Sequence, residues 1–481
     1  MRFQVYVVRL HAIFLHTSVA VMSSWEPHIL TTAGKKSLGI VEALEADIYA
    51  GILKPGDRLP AQRLIADKLN VDLTTVTRAF NEARRRGLVE GNAGRGSFVR
   101  HGVEKKLLAD KLATLDLSMN NPPQPCSVNL QQLISEGIAG VISDQRRMLQ
   151  LQYQECIGNP EDRDAAAFWL RHKVQDLSAE RVIISSGAQT ALFAICKHLL
   201  AVGDGVATAH YTYPGLKAVA EQQSFHLFAV ASDEAGMLPS ALAECCQQNT
   251  IRALYLIPAL DNPTTISMPL DRRLALIEVA KRYGLAIIED DPYSPLQSQT
   301  IASFAELLPE KTWHIATLSK CATPALRVAF VIVPDMSSLQ ALSTIIRATL
   351  LMAPPLMTAL VTRWIYDGTL QNIASEIRRE NNKRQSLAAT ILSEFSFVAD
   401  QDGHHIWLTL PDNWQANDFA MAAERLGVNI VPGQRFAVEK TTEETVRVSL
   451  GLAVDHQALA EALGILKSLL SQMLPASRAV V

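Results

Sequence analysis

Between residues 181 and 333, short apolar runs alternate with stretches of helical apolar spacing. The runs are 181–184, 253–257, 285–288, 313–316 and 328–333, and 271–283 is one of the helical stretches between them. That alternation predicts βαβ units and a mostly parallel central sheet, an α/β class of fold. Beyond about residue 396, runs at 405–410 and 445–450 flank a helical stretch near 416–426, which predicts a small α+β domain. At 481 residues the chain is too long for one ordinary domain.

The N-terminal part reads differently. Leu38, Val41, Leu44 and Ile48 give 38–51 a helical spacing, and 61–69 and 73–87 give two shorter helices. Leu88 and Val89, then Gly94, Gly96, Phe98 and Val99, read as two short strands around a glycine turn. Together these predict a winged helix-turn-helix over 36–101. Pro60 suits a first helical turn. Leu64, Ala66 and Leu69 are expected to face the core, with Arg63 and Lys68 outward. Charge supports a nucleic-acid role. The chain carries a net −3, but 48–99 holds nine Lys/Arg against five Asp/Glu, a net +4, which leaves −7 on the remainder. A basic module on an acidic body attracts phosphates. Thr74, Thr75, Thr77 and Arg78 open the helix that would present residues to base edges. Arg95, between two glycines at a strand turn, is placed for a minor groove or a phosphate.

Chemistry-bearing residues collect at the ends of the apolar runs of the body. Asp290 and Tyr293 close the run 285–288 within Glu289-Asp290-Asp291-Pro292-Tyr293. Lys320 follows the run 313–316 in Thr317-Leu318-Ser319-Lys320, with Arg327 seven residues on. Ser186-Gly187-Ala188-Gln189 joins a strand to a helix, a natural anion seat, and Asp261-Asn262-Pro263-Thr264 ends another strand. Pyridoxal 5′-phosphate (PLP) chemistry needs such a set: a lysine for the Schiff base, an acid to keep the pyridine nitrogen protonated, a donor for the phenolic oxygen, and amides with a hydroxyl or arginine for the phosphate. In an open α/β sheet these gather at the carboxyl ends of strands. Singly they say little. Lys320 alone reads as a surface lysine, Asp290 with Asp291 as a turn or a magnesium pair, and Arg447 as a surface arginine. Their order and spacing along one chain join them.

The text Gly56-Asp57-Arg58-Leu59-Pro60-Ala61-Gln62-Arg63-Leu64, continued by 70–80, Arg86-Gly87-Leu88-Val89 and 94–99, is similar to the GntR family of winged helix-turn-helix repressors. The resemblance implies contacts with double-stranded operator DNA at Arg58, Arg63, Thr74, Thr75, Arg78 and Arg95. Residues 115–470 resemble the fold-type I, PLP-dependent aminotransferases. That resemblance makes Lys320 the Schiff-base lysine, Asp290 the pyridine-nitrogen partner, and Asn262 and Tyr293 donors to the phenolic oxygen. It sets Gly187, Ala188, Gln189, Thr317, Ser319 and Arg327 at the phosphate, Tyr213 (in Tyr211-Thr212-Tyr213-Pro214-Gly215) on the ring, and Arg447 on a ligand carboxylate. Tyr153, five residues before Gly158, matches a tyrosine that reaches the partner subunit's phosphate. Departures from the pattern are Thr265 and Ala325 where the family often has Gly, Cys321 after the lysine, and Pro292 before Tyr293.

The order of the two parts is that of the MocR subfamily of bacterial regulators. It implies a PLP-dependent, cytoplasmic transcriptional regulator that forms a head-to-tail swapped homodimer and senses a small amine, an amino acid or PLP through an aldimine at Lys320. A working aminotransferase with an attached DNA module is the alternative, because every residue for proton transfer is present. A plain DNA-binding repressor on a cofactor-free body is a third reading, opposed by the intact Asp290, Tyr293, Lys320, Arg327 and Arg447.

The remaining expectations concern the flanks. Residues 1–24 read as an unstructured leader or a start placed too early, with Met22 the expected start. Arg2 and Arg9 precede an apolar run from Ala12 to Met22 that resembles a weak signal peptide diluted by His11 and His16. Residues 100–125 read as connecting chain, the linker proper at 102–115, charged at Glu104, Lys105 and Lys106 and ending in Asn120-Asn121-Pro122-Pro123. The aminotransferase-like domain is expected over 116–475. The six cysteines show no metal-ligand spacing and read as reduced core residues, so no metal is expected. No apolar run reaches the ~18–20 residues of a membrane helix.

Overall fold

The computed structural model describes Trp25 and residues 36–49, 52–92, 96–100, 115–144 and 153–472. The expected leader, Arg95 and nearly all of the expected linker lie outside these residues. The chain divides into two compact units, Met1–Ala113 and Thr114–Val481, each taken by itself below.

In the first unit α1 (Lys36–Tyr49), α2 (Gln62–Lys68) and α3 (Leu73–Arg85) precede β1 (Val89–Asn92) and β2 (Gly96–Val99). The two strands pair antiparallel, with Val89 opposite Val99 and Asn92 opposite Gly96. Val76, Ala79, Phe80 and Ala83 fall on one stripe of α3 and are buried with Ile40, Val41, Leu44 and Ile48 of α1. Two details correct the sequence reading. Leu64 is exposed and Ile65 is buried with Ala66, because α2 starts at Gln62 and turns that face inward. Pro60 precedes the N-cap, Ala61, and so stands outside the first turn. Thr77 also differs from its expected role. Its hydroxyl bonds Gln62 Oε1 (3.0 Å) and the Leu73 carbonyl (2.9 Å), which ties α3 to α2.

The second unit is built on a seven-stranded sheet. Its strands are β3 (Val182–Ser185), β4 (Gly205–Ala209), β5 (His226–Val230), β8 (Ile251–Leu256), β9 (Ala286–Asp291), β10 (Thr312–Thr317) and β11 (Ala329–Ile332). A small hairpin of β6 (Ser232–Asp233) and β7 (Gly236–Met237) follows β5. The order across the sheet is β3-β11-β10-β9-β8-β4-β5. Neighbours from β10 through β5 are parallel, and β11 runs antiparallel to both β10 and β3. Helices such as Ala188–Leu199 and Leu270–Tyr283 join the strands and bury apolar stripes on them. β4 and β5 were not among the expected strands. β4 is Gly-Val-Ala-Thr-Ala, whose Gly205 and Thr208 break any apolar run, and β5 is a half-exposed edge.

A second, antiparallel sheet has the order β12-β13-β15-β14, from Phe397–Ala399, His405–Thr409, Thr445–Ser449 and Val431–Pro432. Helices Thr369–Ile391, Ala416–Arg425 and His456–Leu470 pack with it. Leu115 and Leu117 are buried in its core. The Leu117 N–H donates to the Asn429 carbonyl (2.8 Å), and the Ser449 N–H donates to the Leu117 carbonyl (2.9 Å). Residues 115–125 are therefore part of the body and not connecting chain: an Asn-Asn-Pro-Pro stretch cannot be helical, but extended backbone can pair with a sheet edge. Of the six cysteines, Cys156, Cys196 and Cys321 are buried, Cys245 and Cys246 are half-buried, and Cys126 is exposed, so core placement applies to half of them. Among the described residues no helix is long and apolar enough to cross a membrane.

Candidate functional site

The site forms where the carboxyl ends of β3, β4, β8, β9 and β10 deliver their loops. Asp290 lies inside β9, one residue from its end, so the strand runs past the expected 285–288. Side chains alternate along a strand, so Asp290 faces away from Glu289 and Asp291. This excludes the reading of Asp290 and Asp291 as a metal pair. Glu289 instead accepts from the Phe304 and Ala305 amides (3.1 and 3.0 Å) and lies 2.9 Å from His314 Nδ1. Burial works against charge on His314, but Glu289 outweighs it and holds the imidazole above its ordinary value.

Asp290 is 4% exposed. Its Oδ2 accepts from the Tyr255 hydroxyl at 2.8 Å, and its buried Oδ1 has no partner. Burial pushes the carboxyl up to about 6. A buried acceptor left unpaired is costly, so Oδ1 calls for a donor, and a protonated pyridine nitrogen is one. Lys320 follows β10 and is pulled down to about 8 by burial and by Arg447, against the pull of Asp290. An amine in that range is partly neutral near pH 7, as imine chemistry requires. Tyr293 is fully buried; its oxygen accepts from Asn120 Nδ2 (2.7 Å), which leaves its one proton for another acceptor. Asn262 Oδ1 accepts from Arg447 Nη1 (2.8 Å), which directs its amide hydrogens elsewhere.

Gly187 caps the helix Ala188–Leu199 with φ +101°, and a Cβ there would press on the Arg327 guanidinium at 2.7 Å. Arg327 Nη2 donates to the Ser186 carbonyl (3.2 Å), so a guanidinium stands beside a helix N-terminus, an anion seat. The Thr317 hydroxyl donates to Ser319 Oγ (3.4 Å), and Gln189 Nε2 donates to the Gly215 carbonyl (3.0 Å). Tyr213 is half-buried next to Gly215, and burial, reinforced by Asp290, raises its phenol. Arg447, on β15, is 7% exposed; its guanidinium carbon lies 4.9 Å from the Phe436 ring centroid, and its buried Nε has no partner. Burial draws Arg447 down to about 10. These residues fit the phosphorylated pyridine aldehyde that the sequence implies: Asp290 Oδ1 and Arg447 Nε are unpartnered, Tyr293 keeps its proton to donate, and Arg327 stands at the anion seat. Tyr153 is 82% exposed and is not part of this connected set.

Three residues of the site were not found from sequence. Asn120 bonds Tyr293 and Lys320, His405 lies 3.2 Å from Asn120, and Tyr255 holds Asp290. Among the described residues, no cluster of three His, Cys, Asp or Glu side chains is arranged to hold a metal ion.

In the first unit Thr74 and Arg78 are exposed on α3, Thr75 is half-buried, and Arg63 is exposed on α2. Arg58 is exposed on a segment bridged to Phe98 of β2, and its Nε would lie 3.1 Å from a Cβ at Gly96. Arg85 and Arg86 both bond Glu82, and Arg86 also bonds Glu45. Part of the local positive charge is thus spent within the unit.

Residues 113–466 match the family described as aminotransferase class I and II, and residues 36–99 match bacterial regulatory proteins of the gntR family. The chain is 29% identical over 453 residues to the uncharacterized HTH-type transcriptional regulator YdeF of Bacillus subtilis, covering 94% of this chain and 97% of that one. It is 27% identical over 445 residues to the vitamin B6 salvage pathway transcriptional repressor PtsJ of Salmonella typhimurium, covering 89% and 99%. Among solved structures, the kynurenine aminotransferase of Pyrococcus horikoshii matches with a TM-score of 0.70 at 23% identity, covering 79% of this chain and 96% of that one. That last likeness bears on the fold alone.

Proposed function

Because this chain belongs to the aminotransferase class I and II family and carries a gntR-type module ahead of it, as MocR-type transcriptional regulators do, we propose that its regulation of transcription is set by a small primary amine, an amino acid or PLP engaged at Lys320. The observation that carries the reading is Asp290: a buried carboxylate fixed by Tyr255, with one oxygen unpartnered, in the same pocket as a lysine whose ammonium is destabilised.

When bound, PLP supplies an aldehyde that takes up primary amines and a ring that draws electrons from them. Asp290 holds the proton on the pyridine nitrogen, and Tyr255 keeps that carboxylate in place. Tyr293 and Asn262 donate to the phenolic oxygen. Amides at Gly187, Ala188 and Gln189, with Thr317, Ser319 and Arg327, hold the phosphate. Tyr213 covers a ring face and keeps water out. Arg447 would take a ligand carboxylate, and Lys320 would be the amine that holds the aldehyde. Tyr153, exposed on this chain, serves the partner subunit's phosphate in a swapped homodimer. Arg58, Arg63, Thr74, Thr75, Arg78 and Arg95 contact the operator.

The test is the visible absorption spectrum of the purified chain titrated with PLP, beside Lys320→Ala. The reading expects a Schiff-base band in the wild type that shifts on adding amines and is lost in the variant. No band in the wild type at saturating PLP would leave a DNA-binding protein with no sensing chemistry.

A further inference from the structure

Asn120 is the meeting point of the site. It is 5% exposed, and its carbonyl accepts from Lys320 Nζ at 2.5 Å. Its Nδ2 donates to the Tyr293 hydroxyl (2.7 Å) and lies 3.2 Å from His405 Nδ1, while its Oδ1 accepts from Ser449 Oγ at 3.2 Å. Burial, aided by Arg447, holds His405 down at about 3, so the ring is neutral. Its Nε2–H then donates to the Asp261 carbonyl (3.1 Å) and its Nδ1 lone pair meets Asn120. Two residues back, the Ser118 carbonyl accepts from Arg447 Nη2 at 2.5 Å. One residue on, a Cβ at Gly451 would collide with the Asn121 carbonyl, so the backbone is pressed flat against the body. Lys320 and Arg447 thus each hold a backbone carbonyl of one short segment, 118–121, just after the residues that join the two units.

We propose that Asn120 is a positioning residue that couples the covalent state of Lys320 to the backbone segment 118–121. The proposal rests on the sensing role of Lys320 given above. A free lysine amine has hydrogens to give the Asn120 carbonyl. A nitrogen doubly bonded to an aldehyde carbon carries at most one, aimed where the cofactor dictates, and the carbonyl loses its donor. An incoming primary amine reverses this. Its nitrogen forms the C=N bond to the aldehyde carbon, the C=N bond to Lys320 Nζ breaks, and two hydrogens pass from the ligand nitrogen to Nζ, with no change of oxidation state. Lys320 is then free to hold Asn120 again. Through its side chain the same residue fills the lone pair of Tyr293, so that the tyrosine proton points to the cofactor and donates more strongly.

The experiment is amide hydrogen exchange across 115–121 in the full-length protein, comparing the PLP-loaded chain, in which Lys320 carries the Schiff base, with the same sample saturated in ethylamine. The proposal expects severalfold slower exchange in the ethylamine sample, and no such slowing in PLP-loaded Lys320→Ala. Equal exchange in both samples, with a visible spectrum showing that the amine has replaced the lysine, would overturn it and leave the sensing reading intact; no Schiff-base band at all would overturn both. A second readout is the pH at which the Schiff-base band bleaches. Asn120→Ala weakens the Tyr293 donor and moves that midpoint upward, and an unmoved midpoint would refute the positioning role of the side chain.

Discussion

Asp290 shows how burial and function oppose each other in one side chain. Its carboxyl sits near 6 because the ionised form is stripped of water. Between the ordinary carboxylate range and about 6 the unfolded chain is ionised and the folded chain is not, so raising the pH through that window costs stability. A pyridinium in the pocket removes the cost. The stabilisation that PLP confers on thermal unfolding is therefore larger above about pH 6 than below it, which a melting series with and without PLP measures. Asp290→Asn removes the charge from that bond, which is worth about 1.5–3 kcal/mol, and weakens PLP binding by roughly ten- to a hundredfold in a titration of the visible band. Lys320 gives a second pH dependence. Its amine loses the proton near pH 8, so the rate of PLP attachment rises with pH and levels off above about 8. That Lys320, Asp290, Tyr293 and Asn262 converge is legible in the sequence, because the ends of apolar runs fix their position. The meeting of Asn120 and His405 is not, since 285 residues separate them and nothing local marks either.

Among the elements, α3 carries the clearest division of labour. Thr74 and Arg78 are exposed near its start, whereas Arg85 and Arg86, near its end, are drawn onto Glu82. Those guanidiniums pull Glu82 down to about 2, so the cluster stays paired at any working pH. Arg78→Ala is expected to weaken operator binding by about 1–3 kcal/mol if Arg78 reads a base edge, or to lower the salt slope by about 1 if it meets a phosphate. Arg85→Ala changes either quantity far less, and fluorescence anisotropy across a salt series separates them. The same scale shows where sequence patterns run out. Apolar runs located β3, β8, β10 and β11, and in the second sheet β13 and β15 but not the short β12 and β14. β4 breaks its apolar pattern with Gly205 and Thr208, and β5, although it carries the apolar residues 227–230, lies at an exposed edge outside the runs that predicted the sheet. β9 ran on because its acidic residues are buried in a network with His314, whose partners lie on other elements.

At the scale of the whole molecule, the body is meaningful as a sensor only if ligand in the pocket and DNA on the module share a free energy. Such couplings are typically about 1–3 kcal/mol and act in both directions. They require the ligand to bind one arrangement of the chain more tightly than the other. Transaminase turnover is a separate property, read as 2-oxo acid formed from an amino acid, and the sensing account does not depend on it. The most direct measurement is the affinity of the PLP-loaded chain for an operator selected from a random-sequence pool, with and without saturating amino acid, in the wild type and in Lys320→Ala. The account predicts a change of about fivefold or more in the wild type, consistent with couplings of that size, and none in the variant. The same affinity in the wild type with and without ligand, or an equal change in the variant, would contradict it.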